Sequence, residues 1–192
     1  MTEREPPGAD EIADRTLVAI YDYWNRERAG RWMPARADID PTEIGPLLPN
    51  VFMVDVSHDP LRFRYRLIGT AIVNFVGRDF TGRAIDEATY GESAAFLQQI
   101  LKLTVETREP VGLKGNVFYI AGREWVGVEG ILLPLASDGR TVDIVMAGYV
   151  AVDRTAAEPP PPPGAARRGF RILPRPVIRR PGDRSRGGGA PA

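Results

Sequence analysis

Leu61-Arg62-Phe63-Arg64-Tyr65-Arg66-Leu67-Ile68-Gly69-Thr70 is the stretch on which the fold turns. Apolar Leu61, Phe63, Tyr65 and Leu67 alternate with Arg62, Arg64 and Arg66, the period-two pattern of a strand with one buried and one wet face. The strand stops at Gly69-Thr70 and passes directly into a short apolar helical run, Ile72, Val73, Phe75 and Val76. A half-buried strand whose inner face meets small helices is how a single sheet closes a pocket. The pattern therefore predicts Phe63, Tyr65 and Leu67 pointing inward beneath a helical lid.

Working outward, residues 51–56 form a second strand, joined to the first by the turn sequence Ser57-His58-Asp59-Pro60. Downstream, Gly77-Arg78-Asp79-Phe80-Thr81-Gly82-Arg83 is too rich in glycine and charge for regular structure. Thr89 with Glu92 reads as a capping box, and Phe96, Leu97, Ile100, Leu101 and Thr104 as the apolar face of a long helix ended by Pro110. Three strand-like segments follow, at 111–121, 125–135 and 142–152. Gly122-Arg123-Glu124 and Ser137-Asp138-Gly139-Arg140 supply the hairpin turns between them. Terminal hairpins with helices bunched in the middle predict an α+β fold: a five-stranded antiparallel sheet with helices on one face.

Upstream, Asp10 is placed to cap a helix reaching about Arg28, with Ala13, Leu17, Ile20 and Trp24 at helical spacing. This extra N-terminal helix is expected on the sheet's other face or on a second subunit. Leu17, Ile20, Tyr21 and Trp24 are its candidate partner contacts, which would make the protein a homodimer. Asp40 followed by Pro41 and Glu43 signals a short helical turn, closed by Pro46 and Pro49.

The organisation that follows is a flexible N-terminus over residues 1–9, the helix and connector over 10–45, a core over 46–153 and a tail over 154–192. The whole chain is electrically neutral, yet from Arg154 onward nine arginines face only Glu158 and Asp183, a net +7 that leaves −7 on the preceding residues. The tail opens with a proline run at 159–163, and its apolar residues reduce to Phe170, Ile172, Leu173, Val177 and Ile178. That is too little to offset the entropy of ordering, so the tail is predicted to be disordered. No leader-like or membrane-spanning apolar run is present, and a cytoplasmic location is expected.

The motifs Tyr23-Trp24…Arg26…Gly30-Arg31…Met33-Pro34…Arg36…Asp38-Ile39-Asp40-Pro41, Leu47-Leu48-Pro49, Phe63-Arg64-Tyr65-Arg66-Leu67-Ile68-Gly69-Thr70 and Gly77-Arg78-Asp79-Phe80-Thr81-Gly82 resemble a bacterial family of stand-alone PAS proteins. The resemblance covers residues from about 15 to 152 and implies a small sensor fold with a sensing or protein-interaction role. It names no ligand, because fold does not determine function.

The chemistry open to the chain is narrow. It contains no cysteine, which excludes disulfides, thiolate nucleophiles, Cys-ligated metal and a cysteinyl-flavin adduct. His58 is the only histidine and falls in a polar turn, so a histidine-ligated haem is not expected. Asp38, Asp40 and Glu43 lack the spacing of a calcium loop, and helix capping accounts for Asp40 and Glu43. No metal site is expected, and the cofactor is left unknown. Ser–His, Cys–His, Walker and dinucleotide-binding patterns are missing, and no catalytic residue is nominated.

Tyr65, Ile72, Phe75, Val76, Leu97, Leu101 and Phe118 are candidates to line a cavity between sheet and helices, with Thr70, Asn74 and Asn116 as polar groups that could orient a ligand. Arg64 and Arg66 belong on the outward face, balanced by acids such as Asp55 and Glu129, with Lys114 as a companion. The arginine tail is read as a docking or solubilising segment rather than a nucleic-acid footprint.

Together these observations point to a non-catalytic sensory or regulatory protein acting through a protein partner, with a small apolar molecule as candidate ligand. Two rivals stand beside it: a ligand-free homodimeric scaffold with a filled core, and a small α+β enzyme using Asp79 or Asp143 as a buried carboxylate.

Overall fold

Asp14, not Asp10, starts the first helix. In the computed structural model, which describes residues 11–116, 127–152, 171–180 and 182, its carboxylate accepts from the Thr16 and Leu17 N–H groups at 2.8 and 3.1 Å. A two-residue strand β1 (Glu11–Ile12) precedes that cap, and α1 (Arg15–Glu27) follows it. The short α2 (Pro41–Ile44) begins where the sequence predicts, with Asp40 accepting from the Thr42 N–H at 2.7 Å. Burying the apolar stripe of α1, rather than intrinsic propensity, accounts for most of its stability.

Strands β2 (Val51–Ser57) and β3 (Arg62–Ile68) form the expected hairpin, and α3 (Thr70–Val76), α4 (Glu87–Tyr90) and α5 (Ala94–Thr107) follow. The long helix therefore begins at Ala94, beyond the Thr89–Glu92 pair, because Asp86 caps α4 instead through the Thr89 N–H. Strands β4 (Val111–Asn116), β5 (Gly127–Leu135) and β6 (Ile144–Val152) complete the core. The predicted turn at Gly122-Arg123-Glu124 lies outside the described residues.

The sheet has six strands where five are expected. Its order is β3-β2-β6-β5-β4-β7, antiparallel throughout, and β7 (Arg171–Pro174) comes from the predicted tail. A further pair, β8 (Val177–Ile178) with β1, runs parallel and ties the two ends together. The disorder expectation fails for residues 171–180 because these residues do not build a core of their own. They join a ladder already present at β4, and Leu173 is buried against Gly112, whose missing side chain leaves the space. Three tail arginines are held within the chain: Arg175 by Glu109, Arg179 by Glu11 at 3.1 Å and Arg180 by Asp22 at 2.7 Å.

One correction concerns the deciding stretch itself. Phe63 is buried and Tyr65 half-buried, but Leu67 is 36% exposed. Met53 pairs with Leu67 while Val54 pairs with Tyr65, so Arg66 is an extra residue in β3. Such a bulge reverses the alternation beyond it. Ile68 turns inward in place of Leu67, and Arg66 reaches Asp55 at 2.5 Å. Residues 82–85 cover the outer edge of β3, with Gly82 N–H donating to Tyr65 O at 2.8 Å and Ile85 N–H to Phe63 O at 2.9 Å.

The sheet is thus covered twice. Helix α1 lies on β5 and β6, where Leu17 and Ile20 are fully buried and the Trp24 indole N–H donates to Pro134 O at 2.9 Å. Gly148 permits this approach, since a methyl group there would sit 2.9 Å from Ile20 and 3.0 Å from Leu17. The other face carries α3, α4 and α5.

Candidate functional site

Between that second face and its helices lies a cavity of about 80 Å³. Its floor is the sheet: Phe52 and Tyr65 from β2 and β3, Leu113 from β4, Leu132 from β5 and Tyr149 from β6. These side chains share one face because Gly130 stands opposite both Tyr149 and Leu113 in the register. Its lid is Ile72 and Val76 of α3, Tyr90 of α4, and Leu97, Ile100 and Leu101 of α5, with Phe80 from the intervening loop. A single water needs on the order of 10–15 Å³ of such space. The cavity therefore suits a few waters or a ligand of few heavy atoms, well below the usual volume of drug-sized sites.

The lining is mainly apolar, with one polar corner. There the Tyr65 and Tyr90 hydroxyls lie 2.9 Å apart, either able to donate to the other. The Tyr90 ring stacks on Phe80 at 5.4 Å between centroids, and the Tyr65 ring lies 6.5 Å from both. Burial pushes the Tyr90 phenol above its ordinary pKa, while the hydrogen bond from Tyr65 acts in the opposite direction. At the rim the exposed Arg78 guanidinium sits over the Phe80 ring at 5.2 Å, a cation–π contact that steadies the loop carrying Phe80.

Of the residues nominated from the sequence, Tyr65, Ile72, Val76, Leu97 and Leu101 meet at this cavity. Thr70 and Asn74 do not. Both are exposed on α3, whose inward side is taken by Ile72 and Val76. Phe75 packs behind the cavity against Tyr149, with ring centroids 6.0 Å apart. Asn116 ends β4, and Phe118 lies outside the described residues. Phe52, Phe80, Tyr90, Ile100, Leu113, Leu132 and Tyr149 were missed as lining residues. The unbroken apolar run Val51-Phe52-Met53-Val54 does not single out Phe52, and only strand register reveals that Phe52, Leu113, Leu132 and Tyr149 converge.

The other nominations resolve by position. Leu17, Ile20 and Trp24 are buried in the chain's own interior, so they are not partner contacts; only Tyr21 of that set stays half-exposed. The apolar stripe of α1 is spent on the chain's own sheet. Asp79 is exposed and lowered below the ordinary carboxylate range by hydrogen bonds from Thr81, the reverse of a buried acid. Asp143 takes the Ser137 N–H at 3.0 Å and does not line the cavity. Asp143 is half-buried, and its Oδ1 is buried without a hydrogen-bond partner among the described residues, but it stands outside the cavity, so neither nominated acid is a carboxylate in that pocket. His58 sits in the β2–β3 turn against Val142 O at 3.0 Å, and it too is not in the cavity wall. Asp38 and Asp40 serve local structure: the Ala35 N–H and Arg31 lower the first, and Thr42 lowers the second. Among the described residues no cluster of His, Asp and Glu could hold a metal. On the outer face Arg66 pairs with Asp55 as expected, and Lys114 pairs with Glu129 at 3.2 Å.

Comparison with known proteins adds an independent finding. The family model for the PAS domain matches residues 12–150. No curated protein matches the chain in sequence. Among solved structures, the PAS domain of Bordetella pertussis BvgS aligns with 62% of this chain and 90% of its own, at 21% identity and a TM-score of 0.48. VqmA bound to DPO aligns at 14% identity and a TM-score of 0.45, covering 58% of this chain and only 56% of VqmA. The LOV protein of Rhodobacter sphaeroides aligns at 12% identity and a TM-score of 0.43, covering 62% of this chain and 71% of that one.

Proposed function

The chain belongs to the PAS domain family, generally sensory or regulatory and non-catalytic, and from that premise we propose a regulator that holds a small, mostly apolar molecule and acts on a protein partner. The observation that carries this reading is the largely apolar cavity between sheet and lid, with the paired hydroxyls of Tyr65 and Tyr90 at one corner. The ligand that suits it has an apolar body of a few heavy atoms and one hydroxyl or carbonyl directed at that corner. The lid that would respond is the segment from α3 to Phe80. It meets the sheet through side chains rather than through a strand ladder, so its packing is the cheaper part of the wall to change.

Signalling needs a ligand that favours one lid packing over another. Occupancy would shift α3 and the loop carrying Arg78 and Phe80, and through them the surface that a partner meets. Because the stripe of α1 is buried, that partner is expected on another surface. A ligand-free scaffold would instead need a filled interior. No described helix is long and apolar enough to cross a membrane.

Native mass spectrometry on protein purified from its own host tests the reading. The expected result is an added mass that disappears in a Leu97→Phe variant, in which the larger ring occupies the cavity. An unmodified mass for the wild type, together with no binding of small apolar alcohols or ketones offered at millimolar concentration, would sink it.

A further inference from the structure

Far from the cavity, a second site is built where three separate parts of the chain meet. The end of α1, the cap of α5 and the residues after β7 enclose an open groove of about 490 Å³. Arg28, Arg31, Arg108 and Arg175 line it against a single carboxylate, Glu109, which Arg175 already engages. Trp32 lies in the same wall and is 66% exposed, the most exposed large apolar side chain among the described residues.

The charges are only partly spent. Arg28 is oriented by neutral acceptors, the Asn25 side chain at 2.8 Å and Arg31 O at 3.2 Å, lies over the Trp24 ring at 5.7 Å, and has no carboxylate partner among the described residues. Arg31 is held by Asp38 at 2.7 Å and by two carbonyls. The Arg108 guanidinium has no hydrogen bond or ion pair among the described residues, and it lies over the Trp32 ring at 5.2 Å. A flat apolar face beside unspent planar donors fits a carboxylate next to an aromatic or aliphatic side chain.

Backbone conformation singles out the same place. Arg108 and Arg175 both have φ of +57°, in the left-handed region where glycine is the easy choice. Gly77 caps α3 in that conformation, so the chain does use glycine for this purpose elsewhere. Holding arginine there sacrifices stability, and such outliers gather at binding sites.

We propose that this groove takes an acidic segment of a partner protein, with carboxylates on Arg28 and Arg108 and an apolar side chain on Trp32. The inference deepens the reading that the chain acts through a protein partner, and rests on it. A nucleic acid is the less suitable occupant. Tight polyanion binding draws on many phosphate contacts, whereas this groove offers four arginines, of which Arg31 and Arg175 are already engaged by Asp38 and Glu109.

The test is fluorescence anisotropy on the full chain with a labelled Asp-Glu-Phe-Asp-Glu peptide, the same peptide with lysines replacing its acids, and a twelve-residue oligothymidine as competitor. The acidic peptide is expected to bind at least about tenfold tighter than the basic one, and to weaken as salt rises. Arg108→Gly should lose about tenfold in affinity while melting no lower than the wild type, because glycine relieves its backbone. Trp32→Ala should lose several-fold. Equal binding of the two peptides, or an Arg108→Gly variant that binds like the wild type, would overturn the proposal. Oligothymidine displacing the acidic peptide at lower concentration than the unlabelled peptide would also overturn it, in favour of nucleic acid. Cavity occupancy, read separately by mass spectrometry, would remain to decide the sensing reading by itself.

Discussion

On the α1 face of the sheet, Gly148 leaves no room for even a methyl group before Leu17 and Ile20, and the Trp24 indole is satisfied by Pro134 O. Across the same sheet α3 reaches Tyr149 through Phe75, yet the lid as a whole leaves about 80 Å³ unfilled. Both faces are lined by equally apolar residues, so hydrophobicity does not separate them. What differs is the covering element. A single helix of thirteen residues covers β5 and β6, whereas three helices and a loop share the other face. Close packing is easily reached by the first arrangement and hard to reach by the second. The difference puts the tighter packing on the α1 face and the room that the proposed response needs on the other.

That division can be broken by measurement. Trp24→Ala should show the largest effect, a loss of about 3–5 kcal/mol in denaturant unfolding, from a cavity and an orphaned carbonyl on the tight face. A loss below about 1 kcal/mol would mean α1 is not a structural half of the fold. Overpacking gives a paired comparison. Gly148→Val should cost about 1–3 kcal/mol, while Leu97→Phe should cost under about 1 kcal/mol because space is already available. Equal costs would remove the distinction between the faces.

The phenol pair sharpens the contrast on the lid side. Tyr90→Phe deletes its hydrogen bond to Tyr65 and should cost about 0.5–1.5 kcal/mol. The pH dependence has a definite sign. The folded-state pKa of Tyr90 is raised by burial, so its contribution is fully present below the ordinary value of 10 and is lost as pH climbs through the raised one. Ultraviolet titration of tyrosinate should therefore show a late-ionising group that vanishes in Tyr90→Phe. The smallest effect belongs to the C-terminal cap of α5, at the basic groove. Arg108→Gly should raise stability by about 0.5–1 kcal/mol, seen as a melting temperature about 1–4 °C higher.

Much of this architecture is legible in the residues taken singly. The Asp40-Pro41 start of α2, the β2–β3 hairpin and the apolar faces of α1 and α5 all follow from short-range patterns. The errors share a cause, which is that each depended on a partner distant in sequence. Alternation through Leu67 is broken by a bulge that exists only because β3 must stay in register with Met53 and Val54. Residues 171–178 are too polar to fold alone, yet the edge of β4 supplies a ready ladder for them. Leu17, Ile20 and Trp24 resemble a dimer stripe until the sheet claims them.

The sequence by itself determined the class of fold, the order of its elements and the absence of thiol chemistry, because periodicity, capping and composition are local properties. Only the tertiary structure decided which apolar residues fill the core and which border a cavity, since that depends on how far a lid can close over a sheet. It also brought Arg28, Trp32, Arg108 and Arg175 into one groove from three distant stretches, a juxtaposition that no local pattern encodes.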